Sequence, residues 1–310
     1  PFLTSDDKYK AARERVSRTP FVIEGAVRAR DVATLRQQME TCCVPTLVAR
    51  LFSQDHHAER DYLQGLDDLM TVITNPACAE GAGISSSEVR AQVCANSDVL
   101  LKYACVRLLE KNTSVALRCF ELVGALLDLQ SQENAPLGDA EAQALVLTLV
   151  IRTGDAKAAF REAARDMLRR VCVLFPPSRL FQLLLEHGLS SKNARTRSEC
   201  LAELGCLLTR HGIAVCTPAK SLPVVARLIS DRDPSVRGAA LSTLAEAYKL
   251  MGESLWRLLG PLPPKDESLL EERLKRTSLP SSARMAPTTS SSNELVDRRA
   301  QPTMAARAPR

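Results

Sequence analysis

The sequence has few aromatic residues: Phe, Trp and Tyr make up 4% of its 310 residues, and Trp occurs once. Apolar residues still make up 45%, and the abundant Leu, Ala, Arg and Glu lose little rotamer freedom in a helix. The longest apolar-leaning run, at 142–151, is about half the length of a membrane span. This composition predicts an almost entirely helical chain without a transmembrane segment.

The patterns of common catalytic and metal sites are also missing. The sequence has no G-x-S-x-G elbow, no Walker loop and no C-x-x-C pair. His56 and His57 are adjacent, so on one helix they point about 100° apart and cannot ligate a metal as an i, i+4 pair would. The fragment "GAGISS" (81–86) has a serine where a dinucleotide motif needs its last glycine. We predict no enzymatic activity, no metal and no cofactor.

No strong excess of charge is present. The chain has 41 Lys and Arg against 36 Asp and Glu, a net of +5, and the five arginines after Arg276 against Glu294 and Asp297 contribute +3 of it. No basic stripe with interleaved aromatics occurs, so nucleic-acid binding is not predicted. The ten cysteines lie mostly among leucines and alanines, which is typical of reduced, buried thiols in a cytosolic protein.

What does recur is a polar corner followed by an amphipathic helix. Five segments follow this pattern: "SQDHHAERDYLQGLDDL" (53–69), "EKNTSVALRCFELVGAL" (110–126), "TGDAKAAFREAARDML" (153–168), "SKNARTRSECLAELGCL" (191–207) and "SDRDPSVRGAALSTL" (230–244). From Asp155 to Asn193 is 38 residues and from Asn193 to Asp233 is 40, close to the ~40–47 residues of a HEAT-type hairpin. The spacing predicts a HEAT-repeat α-solenoid of about six helical hairpins.

Each corner is preceded by a first helix of its pair, predicted at 44–52, 98–110, 140–152, 177–189 and 222–230, and a last helix is predicted at 266–277. Asp55, Asn112 or Thr113, Asp155, Asn193 and Asp233 are the residues expected to cap the second helices. The Gly- and Ser-rich stretch 75–88 is predicted to be a loop inserted between the first two hairpins. In the helix after Asp233, four residues share an apolar face: Val236, Ala240, Leu244 and Ala247.

Several of these segments resemble one known family. "SKNARTRSECLAELGCLL" (191–208), "ISDRDPSVRGAAL" (229–241) and "KDESLLEERLKR" (265–276) are similar to TOG domains of the ch-TOG/Mini spindles family of microtubule polymerases. The lead-in "DDKYKAARERVSRTPFVIEGAVRARDVATLRQQM" (6–39) resembles the extra helical start of the fifth TOG domain of the array. The resemblance covers about residues 8–277.

The resemblance implies a domain organisation and a cellular setting. We expect a linker at 1–7, an N-terminal helical extension at 8–43, a TOG domain of HEAT-like repeats at 44–277, and a disordered Ser/Pro/Arg-rich linker at 278–310. It also implies other TOG domains in the same parent chain. The expected localisation is the cytoplasm and cytoskeleton, at microtubule plus ends, the spindle, and spindle poles or the centrosome.

The resemblance further implies that the corners bind αβ-tubulin and the microtubule lattice. Tubulin is acidic, so cations near helix N-termini are expected to attract its carboxylates. The candidate tubulin-binding residues are Asp55, His57, Lys111, Asn112, Thr113, Lys157, Ser191, Lys192, Asn193, Arg195 and Arg232. TOG domains that hold free tubulin carry a tryptophan in the first corner, where this sequence has His57. The preference between free and lattice tubulin therefore stays open.

One structural explanation and one alternative function compete with this interpretation. Asp155 with Arg161, and Asp231 with Arg237, are each six residues apart, which resembles the Asp–Arg ladder that joins successive HEAT repeats, so both arginines are left out of the candidate site. The alternative function is a HEAT-repeat adaptor that binds a protein other than tubulin through its helical faces. Binding of lattice and free tubulin distinguishes the two functions.

Overall fold

The computed structural model describes Leu3, Arg13 and residues 27–278. An isolated bridge between Leu3 and Cys43 is the β-type pairing found there, and these residues form no strand. Ser278, the first residue of the predicted disordered linker 278–310, is the last residue of the helix Pro264–Ser278, and residues 279–310 lie outside the described residues. Of the predicted linker 1–7, only Leu3 is described. The α-helices are α1 (Ala29–Glu40), α2 (Pro45–Leu51), α3 (Ala58–Thr74), α4 (Ser86–Ala95), α5 (Ser97–Leu108), α6 (Thr113–Gln132), α7 (Asp139–Thr153), α8 (Ala158–Leu174), α9 (Pro177–Leu183), α10 (Ala194–His211), α11 (Pro218–Ala226), α12 (Pro234–Met251), α13 (Ser254–Leu259) and α14 (Pro264–Ser278).

Ten of these helices pair into five antiparallel hairpins: α2 with α3, α5 with α6, α7 with α8, α9 with α10, and α11 with α12. Helix α13 packs on α11 and α14 packs on α12, so these two helices continue the stack as hairpin 6. A π-helical turn, Leu184–Gly188, extends α9, and a 3₁₀ turn, Arg227–Ser230, extends α11. The predicted all-α solenoid of about six hairpins is confirmed. The strong helix propensity and the short polar corners explain this result, because a short connection makes consecutive helices antiparallel neighbours.

The second helices of the hairpins stack in two runs. In the first run α3, α6 and α8 pack in succession, and in the second α10, α12 and α14 do so. Between the runs, α10 packs mainly against α7, the first helix of hairpin 3. The Arg165 guanidinium of α8 donates to the Glu199 carboxylate of α10 at 2.8 Å. The solenoid is therefore offset between hairpins 3 and 4.

One continuous hydrophobic core runs through all six hairpins and includes α1. The predicted apolar face of α12 is confirmed: all four of its members, from Val236 to Ala247, are fully buried. Among the cysteines, five are buried, four are half-buried and Cys78 is exposed. Most thiols therefore serve as small apolar core groups, as predicted.

The stretch 75–88 is more ordered than the predicted loop. A 3₁₀ helix occupies Pro76–Ala82, and α4 begins at Ser86. The Ser85 hydroxyl accepts a hydrogen bond from the Glu88 N–H at 3.2 Å, which is a helix cap. The serines of this stretch therefore start a helix, and α4 packs beside α3, α5 and α6.

The described part of the N-terminal extension contacts the hairpins directly. Helix α1 packs against α2 and α5. The Arg13 guanidinium is buried and forms a bidentate ion pair with Asp98 in α5, at 3.0 and 2.7 Å. Among the described helices, none combines the length and apolar character needed to cross a membrane. The division into domains at residues 43 and 44 stays a prediction.

Candidate binding edge

The turns within the six hairpins all lie on one side of the solenoid, which we call the turn edge. It is made of corner 1 (53–57), corner 2 (109–112), corner 3 (154–157), corner 4 (189–193), corner 5 (231–233) and corner 6 (260–263). Arginine and asparagine side chains join each of the first five corners to its neighbour. The corners therefore form a continuous surface rather than separate loops.

Two arginines fix corners 1 and 2. Arg107, near the end of α5, donates to the carbonyl of Leu51 at the end of α2, at 2.8 Å. The same guanidinium lies 3.8 Å from the centroid of the Tyr62 ring, and the Tyr62 hydroxyl donates to the Ser53 carbonyl at 2.6 Å. In the next hairpin, Arg152 donates to the Glu110 carbonyl at 2.9 Å. Carbonyls left over at helix ends are thus paired by the neighbouring hairpin.

Corners 3, 4 and 5 share a different arrangement. Arg161, Arg197 and Arg237 each donate through one nitrogen to two successive carbonyls of their own corner, at 2.8–3.2 Å. The predicted ladder paired the Asp155 carboxylate with Arg161 and the Asp231 carboxylate with Arg237. This prediction is wrong, because the acceptors of both arginines are backbone carbonyls. The arginines bind backbone carbonyls, because each lies one turn into the helix that the corner begins and reaches back over it.

At the turn edge, an ion pair between Arg197 and Asp231 joins hairpins 4 and 5. Arg197 Nε and Nη2 donate to the two carboxylate oxygens of Asp231, each at 3.0 Å. Burial opposes ionisation of Asp231, but the Arg197 guanidinium and the Asp233 N–H hold the pKa of its carboxyl below the usual range. Between corners 3 and 4, Asn193 Nδ2 donates to the Gly154 carbonyl and Arg195 to the Asp155 carbonyl, both at 3.0 Å.

The predicted caps are only partly present. Asn112, Asn193 and Asp233 each accept a backbone N–H of the following helix through the side chain, at 2.8–3.3 Å. Asp155 instead accepts from the N–H of Lys157 at 2.9 Å, before α8 begins. Asp55 does not cap α3, because His57 is the N-cap residue and has no side-chain cap bond.

Some candidate site residues hold the corners together. The Lys157 ammonium donates to the Thr113 hydroxyl, which joins corners 2 and 3. The Ser191 hydroxyl accepts from the Asn193 N–H at 3.2 Å, and Asn193 and Arg195 reach corner 3 as described. Asn112 caps α6. These six residues therefore have structural partners, and any role in binding adds to that structural role.

Other candidate residues point outward. Lys111, Lys192 and Arg232 are exposed, and their side chains make no hydrogen bond or ion pair within residues 27–278. Asp55 is also exposed. His57 is exposed, with its ring centroid 4.6 Å from that of His56. Corners 2, 4 and 5 thus each present one unpaired cation close to the N-terminus of a helix, where free N–H groups also favour anions.

The sequence reasoning missed Arg107, Arg152 and Arg197, which shape this edge. Arg197 repeats the six-residue spacing from Ser191 that Arg161 has from Asp155, so the spacing alone could have identified it. Arg107 and Arg152 lie in the last turns of α5 and α7. Their acceptors are 56 and 42 residues away, which no local pattern reveals.

Comparison with known proteins identifies the family of this chain. No protein-family model matches the chain. Protein mini spindles of Drosophila melanogaster is 37% identical over 78% of the chain, and Zygote defective protein 9 of Caenorhabditis elegans is 33% identical over 76%. The chain spans only 11% and 15% of the length of these two curated relatives.

A solved structure described as "TOG-tubulin binding specificity promotes microtubule dynamics and mitotic spindle formation" is similar over its whole length. It is 31% identical, covers 89% of this chain and 100% of its own, and has a TM-score of 0.77. Identity of 31% over a complete domain, together with a TM-score of 0.77, goes beyond a shared HEAT fold. The chain therefore belongs to the family of TOG domains found in Mini spindles, Zygote defective protein 9 and MOR1.

Proposed function

We propose that this chain binds αβ-tubulin and the microtubule lattice through the turn edge, as one TOG module of a microtubule polymerase that promotes plus-end growth. The observation that carries the proposal is the set of exposed, unpaired cations Lys111, Lys192 and Arg232 at corners 2, 4 and 5. A helix cap needs no positive charge, and the helix dipole mildly disfavours one at an N-terminus. A partner with carboxylates would offset this local cost.

The candidate residues divide into two roles under this proposal. Lys111, Lys192, Arg232, Asp55 and His57 contact tubulin. Asn112, Thr113, Lys157, Ser191, Asn193 and Arg195 set the shape of the corners and contribute contacts where they remain accessible. Because the corners are tied to one another by buried and half-buried arginines, the cations are held at fixed spacings, which lowers the entropic cost of binding.

We further propose that the domain resembles the fifth TOG domain of its family and prefers lattice tubulin. The lead-in at 6–39 and the histidine in corner 1 support this assignment. The division into an extension at 8–43 and repeats at 44–277 belongs to the same proposal. The proposal also includes other TOG domains in the parent chain and localisation to plus ends, the spindle and its poles. A HEAT adaptor for another protein is the alternative function.

The test compares two lysines in similar local settings. Lys192 lies in corner 4, and Lys220 lies in the first turn of α11 on the opposite edge; both are exposed. We expect Lys192→Glu to weaken co-sedimentation with stabilised microtubules by about tenfold at low salt, and Lys220→Glu to leave it unchanged. The difference shrinks as salt shortens the Debye length from ~10 Å at 0.1 M. Wild-type binding by Lys192→Glu at low salt would remove corner 4 from the site.

Gel filtration with free tubulin, run beside co-sedimentation, tests the stated preference. We expect stronger retention on microtubules than in a soluble tubulin complex. If the wild-type chain binds neither form of tubulin, the adaptor function is favoured instead.

A further inference from the structure

A half-open cavity of about 380 Å³ lies at the far end of the turn edge, between hairpins 5 and 6. Its walls are mostly apolar and come from α11, the end of α13 and corner 6: Pro223, Ala226, Leu259, Pro261, Leu262 and Pro263. Arg227, Ser230 (the residue before corner 5) and Asp266 of α14 complete the lining. The cavity thus opens on the same edge as the candidate cations.

The shape of this cavity is fixed by the local structure. Gly260 ends α13 with φ 71°, a left-handed conformation that favours glycine, and three prolines follow within four residues. The Ser230 hydroxyl and the Asp266 carboxylate are hydrogen-bonded across the gap between the two hairpins. Asp266 is buried, and its N–H donates to the Pro263 carbonyl at 2.9 Å. The pocket is therefore largely preformed.

One cation lines the cavity, and two more lie in the segments next to it. Arg227 belongs to the lining, Lys265 follows corner 6, and Arg232 lies in corner 5. All three are exposed, and their side chains make no hydrogen bond or ion pair with the part of the chain that the structure describes. A mostly apolar cavity with exposed cations in its lining and in the adjacent segments matches an apolar side chain carried on an acidic surface. An apolar centre with a polar rim is the usual composition of an interface hot spot.

We propose that this cavity is an apolar anchor site of the turn edge, which takes one large aliphatic or aromatic side chain projecting from an acidic surface of αβ-tubulin. The inference rests on the proposed function and extends it from charge attraction to a specific apolar contact. Corner 1 presents two exposed histidines instead of a large apolar anchor. In this domain the apolar contact is then made at the opposite end of the edge. The cavity belongs to this chain, and the side chain that fills it belongs to tubulin.

The first test removes apolar surface without changing charge. Leu262 is half-buried in the wall, and Leu250, in α12, is 42% exposed and lies away from the edge. We expect Leu262→Ala to weaken microtubule binding about tenfold, by a factor that stays the same from 0.1 to 0.5 M salt because apolar burial is not screened. Leu250→Ala should bind as the wild type does. Equal binding by Leu262→Ala, with an unchanged thermal melt, would overturn the proposal.

The second test places a negative charge at the opening of the cavity by a substitution that is expected to preserve the stability of the fold. Pro263 is exposed at the opening, and its carbonyl accepts the first backbone bonds of α14, so Pro263→Asp introduces a favourable N-cap together with a carboxylate. We expect binding to weaken at least tenfold while the melting temperature holds or rises. Gly138→Asp places the same group at the N-cap of α7 on the opposite edge and should bind normally. Wild-type binding by Pro263→Asp would contradict the proposal.

Two outcomes separate this inference from its alternatives. If the wild-type chain fails to bind tubulin in any form, the proposed function fails before the cavity is tested. The chain's own acidic and aliphatic stretch Glu294-Leu295-Val296-Asp297 is the other candidate occupant. If it fills the cavity, Pro263→Asp would tighten tubulin binding by releasing a competitor, and Leu295→Ser would have the same effect. Tighter binding by both variants would therefore overturn the proposal.

Discussion

His57 is the N-cap residue of α3, and its exposed ring lies against that of His56. Among the described residues, neither ring is hydrogen-bonded to another corner, and both residues are exposed. A larger flat side chain at position 57 therefore has room to face solvent. Interface centres favour such side chains because they bury apolar area with few rotatable bonds. Corner 1 is therefore the place where one substitution can change the strength of binding without changing the fold.

We predict that His57→Trp tightens binding of free tubulin about five- to tenfold, or ~1–1.4 kcal/mol, and tightens lattice binding less. The adjacent variant His56→Trp adds the same surface one position away and serves as the control. Titration with free tubulin and co-sedimentation with microtubules give the two affinities. An unchanged affinity of His57→Trp for free tubulin would mean that other corners dictate the preference.

Arg195 shows how a side chain can have two roles. As a corner cation it was predicted to meet tubulin, and its guanidinium donates to the Asp155 carbonyl at 3.0 Å while the residue remains exposed. Charge reversal at this position would therefore loosen the junction between corners 3 and 4. Lys192, which makes no such contact, is the cleaner position for testing electrostatics.

At the scale of helices and turns, the ion pair between Arg197 and Asp231 joins hairpins 4 and 5. Both side chains are largely buried and joined by two charge-assisted hydrogen bonds. We predict that Asp231→Asn lowers the free energy of unfolding by about 1.5–3 kcal/mol at pH 7. Asp128→Asn, which removes the acid of an exposed pair with Arg170, should cost under ~0.5 kcal/mol.

The pH dependence of this junction has a definite sign. The pKa of Asp231 is lower in the folded chain than its unfolded value of about 3.9. Its contribution is therefore complete above the unfolded pKa and is lost as pH falls through the folded pKa. Urea denaturation at pH 7, 5 and 3 should show a constant gap between wild type and Asp231→Asn down to about pH 5, closing below about pH 4. A gap at pH 3 as large as the gap at pH 7 would contradict this mechanism.

Gly154 marks a close approach between corners 3 and 4. A Cβ at this position would overlap Thr196 Oγ1 and stand 2.6 Å from Asn193 Nδ2, and Thr196 is buried. We predict that Gly154→Ala destabilises the fold by about 1–3 kcal/mol, as overpacking does. Gly238→Ala has no atom within 4 Å of the new Cβ and lies inside α12, so it should stabilise by ~0.4–1 kcal/mol. Thermal melts of both variants provide the comparison.

At the scale of the whole molecule, Arg13 connects the N-terminal extension to hairpin 2. Its buried guanidinium pairs with Asp98 and also donates to Asn96 Oδ1 at 3.3 Å, while Nη1 has no partner among the described residues. Lys102 approaches the same carboxylate at 3.4 Å. The extension is therefore held by a buried polar cluster as well as by the shared apolar core.

We predict that Asp98→Ala lowers the free energy of unfolding by about 3–5 kcal/mol, because it leaves a buried guanidinium uncompensated. The double variant Arg13→Ala with Asp98→Ala should lose clearly less than the sum of the two single variants, since each single change already breaks the pair. Urea denaturation of the full chain measures all three. Additive losses would show that the two residues act independently.

The sequence by itself determined the helical class, the hairpin count and the position of the corners. Leucine-rich periodicity at three and four residues requires a buried face, and Asn, Asp and Pro at the corners end one helix and start the next. These are local effects, so a local pattern predicts them. The helix α4 was missed because its apolar pattern is weak and its first three residues lie in the Gly- and Ser-rich stretch 75–88.

Only the tertiary structure decided which corner residues are engaged and which are unpaired. Lys157 and Lys192 look alike in the sequence, but Lys157 meets Thr113 across 44 residues whereas Lys192 meets no described side chain. Arg107 and Arg152 likewise find their acceptors only when hairpins stack. Such contacts depend on the offset between neighbouring hairpins, which is set by the packing of many side chains at once and is not written in any short segment.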